Sequence, residues 1–189
     1  MATLSETMRR LAAASVLCAA CIAAPRPTAA EPATVARTPG KLLVQTSRLD
    51  IAAWESSALA ARRAARPDVR RYARKIMASH RRSARELARW AAREGVILPA
   101  TPSAPGGRVS LGDLAAAGPG TFDLLYVEFQ LRAHVDLINL YSTFATEGRI
   151  SPLRDYSKQR LGVEHRHYRE AIRLRERIRG PGAMVVAAR

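Results

Sequence analysis

Residues 95–120 read GVILPATPSAPGGRVSLGDLAAAGPG, and the rest of the chain arranges itself around them. Four prolines and repeated glycines bar a long helix from this stretch, because proline lacks the N–H that a helix interior needs and glycine gains least from ordering. Both flanks have the opposite character. Upstream, Val69, Tyr72, Ala73, Ile76, Met77, Ala84, Leu87 and Ala91 recur at helical spacing, and downstream Leu124, Val127, Leu131, Ile138 and Tyr141 do the same. Further out lie Leu42, Leu49, Ala52 and Leu59 on one side and Leu161, Tyr168, Ala171, Leu174 and Ile178 on the other. Arginines fill the remaining faces, which is the pattern of amphipathic helices, and no two-residue alternation competes with it.

Punctuation residues set the expected ends. Thr38-Pro39 opens a first helix running to about Ala65, and Pro67-Asp68 opens a second that Gly95 closes. Thr121 is expected to cap the third, with Asp123 favourable near its positive end and Gly148 closing it. Ser151-Pro152 starts the fourth, which stops before Gly180-Pro181. The two outer connections are only a few residues long and so make antiparallel neighbours. The middle one, at about 3.3 Å per extended residue, is long enough to return along a bundle of about 40 Å. The expected fold is therefore all-α, a ferritin-like four-helix bundle over 38–179 built from two antiparallel hairpins and the long crossover 95–120. Within that crossover, 110–117 carries only a weak short-helix pattern.

The chain has 189 residues, 48% of them apolar and 25% charged, which suits one globular domain. Its first 30 residues read differently. Arg9 and Arg10 precede the uncharged run Leu11 to Ala24, and Pro25, Pro27 and the small residues Thr28, Ala29 and Ala30 follow. This is the layout of a secretory signal peptide, and its run of about 14 residues is short of the roughly 20 that span a bilayer. Cleavage after Ala30 is expected, placing the mature protein in the periplasm or outside the cell, with outer-membrane association a further expectation. Residues 31–37 read as a disordered leader and 180–189 as a flexible tail. Both cysteines, Cys18 and Cys21, fall inside the leader peptide, so the core must hold without disulfides. Cys21 is a candidate for lipid modification, but Cys18 stands where such signals carry leucine.

Removal of 1–30 takes away three arginines and one glutamate, lowering the formal charge from +15 to +13. The remaining lysines are Lys41, Lys75 and Lys158, so arginine dominates the surface. Guanidinium groups attract carboxylate, phosphate and sulfate. In an exported protein the expected partners are anionic envelope polysaccharide or lipid head groups rather than nucleic acid, against the plainer reading that the charges form a solvated surface.

A smaller set of residues carries chemistry. Glu55 interrupts the stripe between Ala52 and Leu59, His80 lies among Ile76, Met77, Ala84 and Leu87, and His134 lies between Leu131 and Ile138. Glu164 and His167 stand one turn apart on the fourth helix. At about 1.5 Å per residue, all five fall within about 6 Å of mid-bundle, whereas Glu128 lies only about 10 Å from one end. Imidazoles and carboxylates from facing helices at one level can hold a transition-metal ion such as Fe, Zn or Mn. The same groups can also satisfy one another as a buried hydrogen-bonded network. Met77 stands where a di-iron carboxylate site would have its glutamate, so a metal-dependent oxidoreductase ranks behind a non-enzymatic metal-binding or polyanion-binding protein. His165 cannot share the direction of His167 but remains a substitute for it.

Taken in order, Glu55 with Leu59-Ala60, Pro67-Asp68-Val69 through Tyr72-Ala73 and Met77 to His80, Val96 to Pro99, Phe122-Asp123 with Tyr126 and His134, and Leu161 through His167-Tyr168 to Ala171 form a recognisable series. Over roughly 40–175 it resembles the domain of unknown function 4142 family, exported ferritin-like proteins. The resemblance implies the fold and export, and no established activity. Family members usually place an Asp where Ser79 and Ala133 stand, a second Glu where Ala53 stands, and a Pro where Gly162 stands.

Overall fold

The computed structural model describes residues 38–180 apart from 103, 104 and 106–108. The expected signal peptide, the leader and all of the tail beyond Gly180 lie outside the described residues. Five helices follow in order: α1 (Pro39–Arg63), α2 (Pro67–Glu94), α3 (Leu111–Ala116), α4 (Pro119–Glu147) and α5 (Ser151–Arg179). Among the described residues there is no strand. The fold is all-α, and α1, α2, α4 and α5 form the bundle. α1 packs along α2, α4 along α5, and α1 against α4. α2 and α5 approach less closely, and among their contacts Lys75 is bonded to Glu170 and Arg177 to Asp68. No helix of the described residues is long and apolar enough to cross a membrane.

Proline opens all four long helices within the first turn, where its missing N–H would be unpaired in any case. α2 ends at Gly95, whose φ of 63° is the left-handed conformation that glycine adopts without penalty. The short pattern at 110–117 becomes α3, fixed by a capping box in which Ser110 and Asp113 satisfy each other's backbone N–H. Arg63 of α1 holds α3 in place by donating to the carbonyls of Leu114, Ala115 and Ala117.

Three sequence expectations are corrected. α1 ends at Arg63 rather than near Ala65, because the residue before Pro67 is driven to extended backbone and the turn must begin earlier. Thr121 does not cap α4: Gly118 takes that position, and the threonine hydroxyl donates back to the Gly118 carbonyl. Asp123 has a different partner from the α4 dipole, since its carboxylate accepts the N–H groups of Ala65 at 3.0 Å and Arg66 at 2.8 Å. It thereby ties the α1–α2 turn to the start of α4.

The core has two apolar halves. One gathers Val69, Tyr72, Ile76, Phe122, Tyr126, Phe129 and Leu174. The other is made of smaller clusters around Leu42, Leu43, Leu87, Leu137, Tyr141 and Phe144. Asp50, His80, His134, Arg160, Glu164 and His167 are all buried, each 7% exposed or less, and lie between the two halves.

Candidate metal centre

Each polar group in this layer comes from the inward face of its own helix. His80 shares the buried face of α2 with Ile76, Ser83 and Leu87, and His134 shares that of α4 with Gln130, Leu131 and Leu137. Glu164 and His167 lie on α5 between Arg160 and Ala171. One ligand atom from each of His80, His134, Glu164 and His167 lies within 4.8 Å of the others. The three imidazole rings are mutually adjacent, with centroids 5.3 to 5.8 Å apart.

Hydrogen bonds decide which nitrogens are free. His80 Nδ1 is 2.7 Å from Asp50 Oδ1, which turns Nε2 toward Glu164 Oε2, 3.8 Å away. His80 Nε2 and His167 Nδ1 are buried without a hydrogen-bond partner. His134 Nδ1 is 2.9 Å from Glu164 Oε2, and its Nε2 is 3.2 Å from the Tyr72 hydroxyl. That hydroxyl also lies 3.2 Å from the His167 carbonyl.

A phenol has one hydrogen, so two arrangements satisfy these contacts. In the first, Tyr72 donates to His134 Nε2 and His134 Nδ1–H donates to Glu164, closing a purely protein network. In the second, Tyr72 donates to the His167 carbonyl, His134 Nε2–H donates to the phenol oxygen, and the bare Nδ1 faces a carboxylate oxygen. A metal ion, or a further proton shared between the two groups, stabilises that second juxtaposition. One set of residues thus accommodates both the network and the ion.

The layer holds the carboxylates of Asp50 and Glu164 and the guanidinium of Arg160, and an uncompensated buried charge is costly. Burial alone would raise the Glu164 carboxyl, but His80, the hydrogen bond from His134 and the Arg160 guanidinium outweigh it and hold Glu164 well below the usual carboxylate range. Burial lowers His134 against the pull of Glu164. Burial and the neighbouring His134 push His167 down to about 2. These two imidazoles therefore keep their lone pairs at neutral pH, the form in which histidine binds metal. Burial would lower Arg160, but the carboxylates of Glu164 and Asp50 outweigh it and keep the guanidinium charged.

The donor set fits an ion. Tetrahedral ligands at zinc distances are about 3.4 Å apart, so the four atoms need to close by little more than about 1 Å. Asp50 on His80 and Tyr72 on His134 are the outer partners that fix which ring nitrogen of a ligand histidine points inward.

The structure brings together His80, His134, Glu164 and His167 from the sequence candidates and leaves Glu55 out. Glu55 is half-buried, and the face of α1 that reaches the layer runs through Thr46, Asp50, Ala53 and Ser57. Apolar residues alone misplaced that face, because its hydroxyls are buried at no penalty: Thr46, Ser56 and Ser57 donate to carbonyls one turn earlier. The carboxylate from α1 is therefore Asp50, which supports His80 from another helix. Arg160 was also missed, since a lone arginine in an arginine-rich helix gives no signal of burial. Its one cue is the four-residue spacing to Glu164. His165 is exposed and takes no part.

No curated protein matches the chain. A crystal structure of a DUF305 protein from Streptomyces coelicolor is similar at a TM-score of 0.60, with 13% identity, covering 72% of this chain and 91% of that one. At this identity the likeness concerns the fold. The sequence of residues 24–174 matches the family described as a domain of unknown function, DUF4142, and with four-fifths of its length inside that match, the chain belongs to the DUF4142 family.

Proposed function

We propose that this chain is a non-enzymatic envelope protein that binds one first-row divalent transition ion through His80, His134, Glu164 and His167. The observation that carries this is the pair of buried, unpartnered imidazole nitrogens, His80 Nε2 and His167 Nδ1, beside the charged Glu164. Three nitrogens and one oxygen suit Zn²⁺ or Fe²⁺ better than Mn²⁺, which prefers oxygen ligands. One ion is favoured over two because Asp50 is committed to His80, leaving Glu164 as the only carboxylate in the ligand group. Export rests on the signal-like layout of residues 1–30.

The test is metal titration of chelator-treated protein. Zn²⁺ and Co²⁺ are expected to bind at one per chain, with Co²⁺ giving visible d–d absorbance that His167→Ala removes. At a free ion concentration of 100 Kd the folded state gains about 2.7 kcal/mol, read as a rise in Tm. No change in Tm with Zn²⁺, Fe²⁺ or Mn²⁺ would sink the site, and two ions per chain would refute the single-ion reading.

A further inference from the structure

We infer that the outer face of α2 is a docking rail for a linear acidic polysaccharide, whose carboxylates are gripped by Arg71, Arg74, Arg82, Arg85, Arg89 and Arg93. Positions 71, 74, 78, 82, 85, 89 and 93 are three or four residues apart and so fall on one helix face. Six of the seven are arginine, the seventh is Ala78, and all are exposed. The line extends about 33 Å, with about 4.5 to 6 Å between successive members.

Among the described residues these arginines make no side-chain hydrogen bond or ion pair, as is also true of Arg166, Arg169 and Arg173 on α5, whereas Arg63, Arg70 and Arg154 donate to backbone carbonyls and Arg160, Arg175, Arg177 and Arg179 pair with acids. None of the six on α2 has an acidic partner among the described residues, and Arg93 stacks over the Trp90 ring at 5.3 Å. Like charges one turn apart destabilise a helix. A polyanion laid along the face relieves that repulsion, and it does so most when its own charges form a line.

The chemistry of the face selects among polyanions. Guanidinium forks match carboxylates, and equally phosphates, with two parallel hydrogen bonds, so the choice between them rests on what else the face offers. A membrane-surface helix needs an apolar face to insert, and α2 has spent its apolar face on the core through Val69, Tyr72, Ile76 and Leu87. Ile97, outside the stripe, is the exposed large hydrophobic residue among those described. No member of the stripe is aromatic, so it lacks the platform on which single-stranded bases stack. A row of exposed guanidiniums with no large apolar or aromatic member of its own fits a chain of uronate units.

The experiment uses the whole protein and polygalacturonate, with binding measured by calorimetry at about 50 and about 200 mM salt. Two charge-matched variants are compared, R74Q/R82Q/R89Q on α2 and R166Q/R169Q/R173Q on the exposed face of α5, with circular dichroism confirming that both fold. The α2 variant is expected to lose about tenfold in affinity and to show a shallower salt dependence, and the α5 variant to lose less than about twofold. Equal loss in both variants would reduce the effect to net charge and overturn the rail. So would absence of binding at the lower salt, or tighter binding to phosphatidylglycerol vesicles or to duplex DNA than to polygalacturonate. The outcome is independent of the metal centre.

Discussion

Glu164 is the residue on which the buried layer depends, because it pairs with Arg160, accepts from His134 and faces His80. Glu164→Gln preserves shape but leaves the Arg160 charge buried with a neutral partner. Removing one member of a buried pair costs about 3 to 5 kcal/mol, so the urea midpoint of metal-free protein should fall accordingly; an unchanged midpoint would show that Arg160 finds another partner or water. Glu55→Gln provides the contrasting case. It alters a half-buried carboxylate outside the ligand group, and the Zn²⁺ affinity should stay within about twofold, since surface changes rarely matter by more than about 0.5 kcal/mol. Three histidines and a glutamate were legible in the sequence because each interrupts a regular apolar stripe. Asp50 was not, because the stripe around it is built from serine, threonine and alanine.

At the scale of the elements, two contacts hold helix ends and can be tested singly. Asp123→Ala leaves the N–H groups of Ala65 and Arg66 without their acceptor. These donors are part-buried and water can reach them, so thermal unfolding of Asp123→Ala should show a loss of about 1 kcal/mol, with Asp123→Asn recovering part of it. At the other end of α4, Gly148 has φ −64° and ψ 138°, ordinary values for any residue. A Cβ there would lie 2.5 Å from both the ring and the carbonyl of Phe144. Gly148→Ala is therefore expected to cost about 1 to 3 kcal/mol through overpacking, and an unchanged Tm would mean that Phe144 yields freely. The sequence marked the end of α4 at this glycine, but the reason is space rather than backbone conformation. Helix existence was readable from periodicity and proline; the partners of Thr121 and Asp123 were not, because those partners lie on other segments.

Across the whole molecule, buried phenols link the two apolar halves to pH. Burial raises Tyr72, Tyr126 and Tyr141 well above the ordinary phenol range. Burial likewise pushes Tyr156 up to about 12, against the hydrogen bond with Ser83. In the unfolded chain these groups ionise near about pH 10. Their folded values are higher, so their contribution to stability is complete below about pH 10 and is lost as pH rises beyond it. Phenolate absorbance from the buried tyrosines should therefore appear together with loss of helical circular dichroism in one step. Ionisation of all the tyrosines near pH 10 with the helices intact would contradict this burial. The sequence by itself determined the four amphipathic helices, the two hairpins and the long connection between them, because periodicity, proline and glycine act over a few neighbouring residues. Only the tertiary structure decided that Asp50 rather than Glu55 enters the central layer, that Arg160 is buried there, and that Tyr72 and Asp50 orient the histidines. Those outcomes depend on the rotation of each helix about its axis, which is fixed by packing against the other three and is not written in any one stretch of the chain.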